Sequence, residues 1–187
     1  MSKSVIILAS GKGSNAERII DHFSGDERVC IDHVISNRKS AGVLLVAESK
    51  EVKHSVIEKE AVNNGALLSF LVDQEPDLIV LAGYLLKIPE AVVREFPEKV
   101  VNLHPSLLPK YGGKGMFGQH VIKAVIDNRE TETGITIHLV NEEYDKGRIL
   151  YQHQCPIEVD DTVETLSKKI QALEHKYFPL VIDDLLK

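Results

Sequence analysis

Asn102 and His104 stand two residues apart in Val100-Val101-Asn102-Leu103-His104-Pro105, an apolar run that ends at a proline. In a strand, residues i and i+2 face the same side, so a carboxamide and an imidazole project together there. The pair suits acyl transfer. Amide N–H groups stabilise negative charge growing on a carbonyl oxygen, and an imidazole moves protons near neutral pH. A carboxylate is the third part wanted, to orient the ring and favour its protonated form. Asp145, in Asn141-Glu142-Glu143-Tyr144-Asp145-Lys146-Gly147, is the candidate, although Asp before Lys-Gly is equally the mark of a plain turn. His104 alone is equally a satisfied structural histidine; its neighbour and the two prolines that fence it favour a site.

A second constellation, Ser10-Gly11-Lys12-Gly13-Ser14-Asn15, sits between a strand-like run and a helical pattern. Glycines let backbone N–H groups approach a phosphate, and the following helix offers the positive end of its dipole. With Ala16 the string also fits the dinucleotide fingerprint G-x-G-x-x-A. That fingerprint wants an acidic residue about 20 positions later, whereas the next strand-like run ends in Asn37-Arg38, and an Arg there suits a ribose 2′-phosphate. An anion cradle, an NADP site and a plain glycine turn capped by Ser14 or Asn15 all stay open on this motif alone.

Val5 to Ala9 and Leu78 to Ala82 are continuous apolar runs, the pattern of strands buried on both faces of a parallel sheet. Between and after them read a helix from Ala16 to Phe23, a strand from Val29 to Ile35, a short helix from Gly42 to Ala47 and a weak strand at His54 to Ile57. An amphipathic helix from Asn63 to Gln74 and one opened by Pro89 flank the second apolar run; the Val100 strand follows. This βαβ alternation predicts a mostly parallel sheet with helices on both faces. Farther on, Gly112 to Gly118 carries four glycines and reads as a mobile loop, followed by a helix from His120 to Ile126. Ile135 to Val140 and Ile149 to Ile157 read as antiparallel edge strands, and a long helix from about Thr162 to Leu186, with Pro179 inside it, ends the chain. The expectation is an α/β fold: a single-domain Rossmann-like open sheet over 1–187, parallel in its first half, with antiparallel strands added in its second.

The 187 residues carry 22 Lys+Arg against 28 Asp+Glu, a net charge of −6 with 43% hydrophobic residues, which suits a soluble globular protein. An acidic chain is a poor match to nucleic acid, whose binders cluster cations, and no stretch has the roughly 20 apolar residues of a membrane helix. Small anionic substrates remain open to it, because a local site can hold a phosphate. Cys30 and Cys155 lack metal spacing and read as two reduced, largely buried thiols. No HExxH-like spacing offers a metal site, so none is expected. A cytoplasmic enzyme is the default.

Gly11-Lys12-Gly13-Ser14-Asn15, Asn102 to Tyr111 (NLHPSLLPKY), and Gly134-Ile135-Thr136-Ile137-His138 with Asp145-Lys146-Gly147 together resemble the phosphoribosylglycinamide formyltransferases, collinearly from about residue 4 to 186. The HPSLLPKY block with its downstream Asp-x-Gly is the specific part. The resemblance implies the formyltransferase fold and transfer of a formyl group from 10-formyltetrahydrofolate to phosphoribosylglycinamide in purine synthesis. It implies a catalytic trio of Asn102, His104 and Asp145, with a substrate site on Gly11, Gly13, Ser14, Asn15, Gln171 and Glu174. On the folate side it implies Tyr84, Leu85, Leu86 and Lys87, Asn102, and Asn141, Glu142, Glu143, Tyr144 and Asp145. Leu86 stands where such enzymes often carry Arg or Lys. The implied partners are small molecules only, with no nucleic acid, no membrane and no metal, for a monomer or homodimer. Formyltetrahydrofolate hydrolases share the trio but usually precede it with a regulatory domain; methionyl-tRNA formyltransferases add a C-terminal domain and basic surface. Neither suits this acidic 187-residue chain. A reductase leaves the trio without a use, and no tyrosine has a Lys four residues on.

Overall fold

In the computed structural model, which describes residues 2–187, Val5-Ile6-Ile7-Leu8-Ala9 has no solvent exposure at any of its five positions. Val5, Ile7 and Ala9 enter one core, while Ile6 and Leu8 enter a second on the opposite face. Burying each of these larger aliphatic side chains contributes about 1.5–3 kcal/mol, which is why the run holds the centre of the sheet.

The elements are β1 (Lys3–Ala9), α1 (Ser14–Phe23), β2 (Val29–Ser36), α2 (Gly42–Ser49), β3 (Lys53–Val56), α3 (Lys59–Asn63) and α4 (Ala66–Gln74). They continue with β4 (Leu78–Leu81), α5 (Glu90–Glu95), β5 (Val100–His104), α6 (Gln119–Asp127), β6 (Glu132–Leu139), β7 (Ile149–Pro156) and α7 (Val163–Leu185). The sheet has seven strands in the order β3-β2-β1-β4-β5-β6-β7. Strands β1 to β5 pair in parallel; β6 and β7 join antiparallel beside β5. The chain winds outward in both directions from the β1/β4 pair, and at such a switch point the strand C-terminal ends open a crevice. Helices α1, α2, α6 and α7 cover one face; α3, α4 and α5 cover the other.

The architecture expected from the sequence is present, with local differences that have physical causes. The helix expected from Asn63 to Gln74 starts only at Ala66, after Gly65 at φ +88°, and a separate short helix, Lys59–Asn63, precedes it. Neither Ser14 nor Asn15 caps α1: Gly13, at φ 88°, is the cap residue, and both polar side chains turn toward α7 instead. A Cβ on Gly13 would lie 2.7 Å from Val43 Cα, so glycine is needed there for close packing of α2 as well as for its backbone angle. Cys30 is exposed rather than buried, since it lies in the open first half of β2, where its thiol donates to Asp32 Oδ1 at 3.0 Å. Both cysteines are free. Helix α7 starts at a Thr162/Thr165 capping box and runs on through the buried Pro179.

Candidate active site

The strands deliver the chemistry. Asn102 and His104 project from the C-terminal end of β5, and antiparallel β6 sets His138 directly opposite Asn102 in the ladder. His138 Nδ1–H donates to the Leu139 carbonyl at 2.8 Å, which leaves its Nε2 to accept from Asn102 Nδ2 at 3.1 Å. The Asn102 amide is thereby oriented, with a second N–H free to meet a ligand oxygen. His104 is 3% exposed, and its Nε2–H donates to the Tyr111 carbonyl at 2.8 Å. That bond fixes the tautomer and turns Nδ1 toward Asp145 Oδ2, 3.6 Å away.

Asp145 sits at φ 54°, a left-handed backbone that Asp tolerates better than most residues. Its Oδ2 accepts from the Gly113 N–H at 2.8 Å, and its Oδ1 lies 3.6 Å from His138 Nε2. Gly112 leaves room for this approach: a Cβ there would lie 2.6 Å from Leu108 Cδ2 and 3.3 Å from Asp145 Cβ. The HPSLLP segment is pinned by buried Thr136, whose hydroxyl donates to the Ser106 carbonyl at 2.6 Å and accepts from Leu108 N–H at 3.0 Å.

Electrostatics differ across the group. Burial pushes the His104 imidazole below its usual range, and this outweighs the upward pull of Asp145 and the Tyr111 carbonyl. The sequence expectation of a carboxylate favouring the protonated ring is met by an opposing effect: the ring is nearly enclosed, and a charge there loses its hydration. Burial also works to raise Asp145, but the nearby His138 ring, the Gly113 N–H and the His104 ring together leave its carboxyl below the ordinary value. Glu174 on α7 moves the opposite way, pushed up by burial despite the Asn15 Nδ2–H that donates to it at 2.9 Å. Asn15 Oδ1 is buried and has no hydrogen-bond partner among the described residues.

These groups share one cleft of about 820 Å³. It is lined by Asn15, Tyr84, Leu85, Leu86, Lys87, Asn102, His104, Asn141, Glu143, Tyr144, Asp145, Gln171 and Glu174. Ser14 is outside the lining but accepts from Gln171 Nε2 at 3.2 Å. Gly11 and Gly13 lie behind it in the turn, where the Gly11 carbonyl accepts from Val43 N–H at 3.1 Å. Glu142 does not line the cleft; its carboxylate lies 3.8 Å from Arg94 on α5. Arg38, on which a dinucleotide reading depends, is also outside it.

Sequence reasoning gave no role to His138, although its place in the alternating run of β6, opposite the Val100 strand, is the signal that finds it. It likewise passed over Lys12 and Lys114, two lining cations with no carboxylate within ion-pair distance among the described residues. Tyr84 presents a buried hydroxyl without a partner among the described residues, and burial pushes its phenol up to about 12.

The Formyl transferase family model matches residues 3–182. The chain belongs to the formyl transferase family. Its relatives include a chloroplastic phosphoribosylglycinamide formyltransferase of Arabidopsis thaliana, 36% identical over 96% of this chain and 64% of that protein. A phosphoribosylglycinamide formyltransferase of Haemophilus influenzae is 36% identical over 96% of this chain and 85% of its own. This formyl transferase chain thus spans just under two thirds of the first relative and most of the second. Among solved structures, glycinamide ribonucleotide transformylase 1 from Geobacillus kaustophilus superposes with a TM-score of 0.91 at 30% identity, covering 100% of both chains. No helix among the described residues is long and apolar enough to cross a membrane.

Proposed function

We propose that this protein transfers the formyl group of 10-formyltetrahydrofolate to the amine of N1-(5-phospho-D-ribosyl)glycinamide, giving formylglycinamide ribonucleotide and tetrahydrofolate in de novo purine synthesis. The observation that carries this reading is the meeting of Asn102, His104 and Asp145 in one cleft with Asn15 and Glu174. Both named relatives and the Geobacillus structure bear names for this activity, which supports extending it to this chain.

The folate supplies an activated one-carbon unit at the formyl oxidation level. The wall of Leu85, Leu86, Ile88 and Val140 suits a flat heterocycle, and the orphaned Tyr84 hydroxyl gives that wall one polar group. At the rim, Lys87 Nζ lies 5.7 Å from the centre of the Tyr144 ring, a cation where an anionic tail would emerge. On the other substrate, the turn before α1 with Ser14 and Asn15 suits the phosphoribosyl group, and Glu174 suits the glycinamide amine.

Asn102 donates its free N–H to the formyl oxygen as negative charge grows there. His104, neutral beforehand, accepts the proton that the attacking nitrogen must lose, directly or through water. The imidazolium so formed faces Asp145 across 3.6 Å, which holds the positive charge next to the developing oxyanion. The same proton then goes to the departing folate nitrogen. The low net charge at large does not oppose two anionic substrates, because capture rests on local donors and on Lys12, Lys114 and Lys87.

The deciding assay mixes the protein with 10-formyltetrahydrofolate and follows tetrahydrofolate with and without phosphoribosylglycinamide. Release that depends on the glycinamide is expected. Release at the same rate without it would make the protein a hydrolase and overturn the transferase reading.

A further inference from the structure

His104 is useful only if its ring nitrogens are correctly assigned, and what assigns them is a backbone carbonyl on a strained residue. Tyr111, whose carbonyl accepts from His104 Nε2–H at 2.8 Å, sits at φ 56°. Bulky L residues rarely hold that left-handed conformation unless the surroundings fix it. Here the fixing group is visible. Tyr111 Oη–H donates to Glu130 Oε1 at 2.9 Å, and Glu130 also takes Lys110 Nζ at 3.1 Å. Glu130 stands between α6 and β6, so it ties the end of the HPSLLPKY segment to the start of the strand that carries His138. Neither Tyr111 nor Glu130 lines the cleft. Two residues on, Gly113 N–H holds Asp145 Oδ2 at 2.8 Å. One short stretch of backbone therefore anchors both His104 and Asp145.

We propose that the Tyr111–Glu130 hydrogen bond is a positioning device for catalysis: it holds Tyr111 in its left-handed conformation so that the carbonyl keeps the His104 proton on Nε2 and leaves Nδ1 free toward Asp145. Tyr111 and Glu130 are positioning residues, since they touch neither the reacting atoms nor a ligand. The inference rests on the formyl-transfer reading for its kinetic arm only. The Lys110–Glu130 ion pair is too exposed on the lysine side to do the same work, because pairs of that kind contribute little. The groups facing the His104 ring are Asp145, His138 and the Tyr111 carbonyl, so a change in its proton distribution is read against a short set of neighbours.

The test uses full-length protein labelled with 15N at histidine, with His104→Gln to assign the signals, at about pH 8, above the imidazole range. Tyr111→Phe, Glu130→Ala and Glu130→Gln are compared with wild type. In wild type His104 should show one tautomer, protonated at Nε2. In Tyr111→Phe and Glu130→Ala its two nitrogen shifts should move toward each other, as both tautomers become populated. Their kcat should fall about tenfold or more, as loss of alignment does, with KM for both substrates within about twofold of wild type. Glu130→Gln keeps an acceptor oxygen and should behave as wild type in both readouts. Unchanged shifts and kcat in Tyr111→Phe and Glu130→Ala would overturn the proposal. A Glu130→Gln variant as impaired as Glu130→Ala would also overturn it, by showing that charge rather than the hydrogen bond matters. Should Tyr111→Phe fail to fold, Glu130→Ala against Glu130→Gln decides alone. Should wild type transfer no formyl group, the reading of function fails, while the nitrogen shifts still decide whether Tyr111 and Glu130 set the tautomer.

Discussion

Asp145 and Glu174 line the same cleft, yet their surroundings push them in opposite directions. Asp145 lies in a turn between two antiparallel strands, where two imidazoles and a backbone N–H meet its oxygens. Glu174 lies on a long helix and faces a single amide N–H, with little else to offset the loss of water around it. Burial penalises both charges, so the number of partners decides the outcome. The comparison assigns the tasks. A carboxylate held ionised can stabilise an imidazolium; one pushed toward its neutral form can accept an ammonium or hydrogen-bond an amine without a large standing charge. On the proposed formyl-transfer reading, strands, loop and helix divide the work: β5 and β6 position the acyl chemistry, and α1 with α7 position the acceptor.

The sharpest way to break the comparison is to neutralise each carboxylate with its amide isostere. Asp145→Asn keeps the shape and the tolerance of a left-handed backbone, and should lower kcat about 100-fold or more, the range of lost proton-transfer assistance. Circular dichroism should show the fold intact. Glu174→Gln should be much milder, raising KM for the glycinamide substrate up to about tenfold, as loss of one hydrogen bond does, with kcat little changed. Equal losses of kcat in the two variants would erase the distinction.

The pH dependence sharpens the same contrast with a smaller effect. His104 must start neutral to accept a proton, and its burial lowers its affinity for one. The acid limb of kcat/KM should therefore reach half-maximum below the ordinary imidazole value of about 6.5, when rates are measured from about pH 5 to 8. Stability follows the same sign. A histidine with a depressed native pKa binds its proton more readily when unfolded, so its contribution is present above the unfolded value and is lost as pH falls through that value to the native one. A urea titration series should show the midpoint declining as the pH drops through the imidazole range, and less steeply in His104→Gln.

Much of this was legible in residue types and spacing. Unbroken apolar runs such as Val5 to Ala9 can exist only under helices on both faces, so the parallel sheet followed from them. Asn102 and His104 were readable because strand periodicity is strict. The part that escaped depends on what approaches from far along the chain. His138 is an ordinary residue of an alternating strand until the antiparallel register sets it against Asn102. The lowered proton affinity of His104 follows from its burial, brought about by segments far apart in the chain, which no local pattern encodes. Ser14 and Asn15 look like helix caps in isolation, and only the position of α7 explains why they serve Gln171 and Glu174 instead. Gly65 shows the converse, a local signal overlooked inside an amphipathic run, where one left-handed glycine divides α3 from α4.

The claim at the centre is that a neutral, buried His104, backed by Asp145, carries the proton during formyl transfer. The most direct measurement is the turnover of His104→Ala with both substrates saturating, with its melting curve recorded beside it. The expected result is a loss of at least about 100-fold in kcat with cooperative unfolding retained. Turnover close to wild type in a folded His104→Ala protein would contradict it.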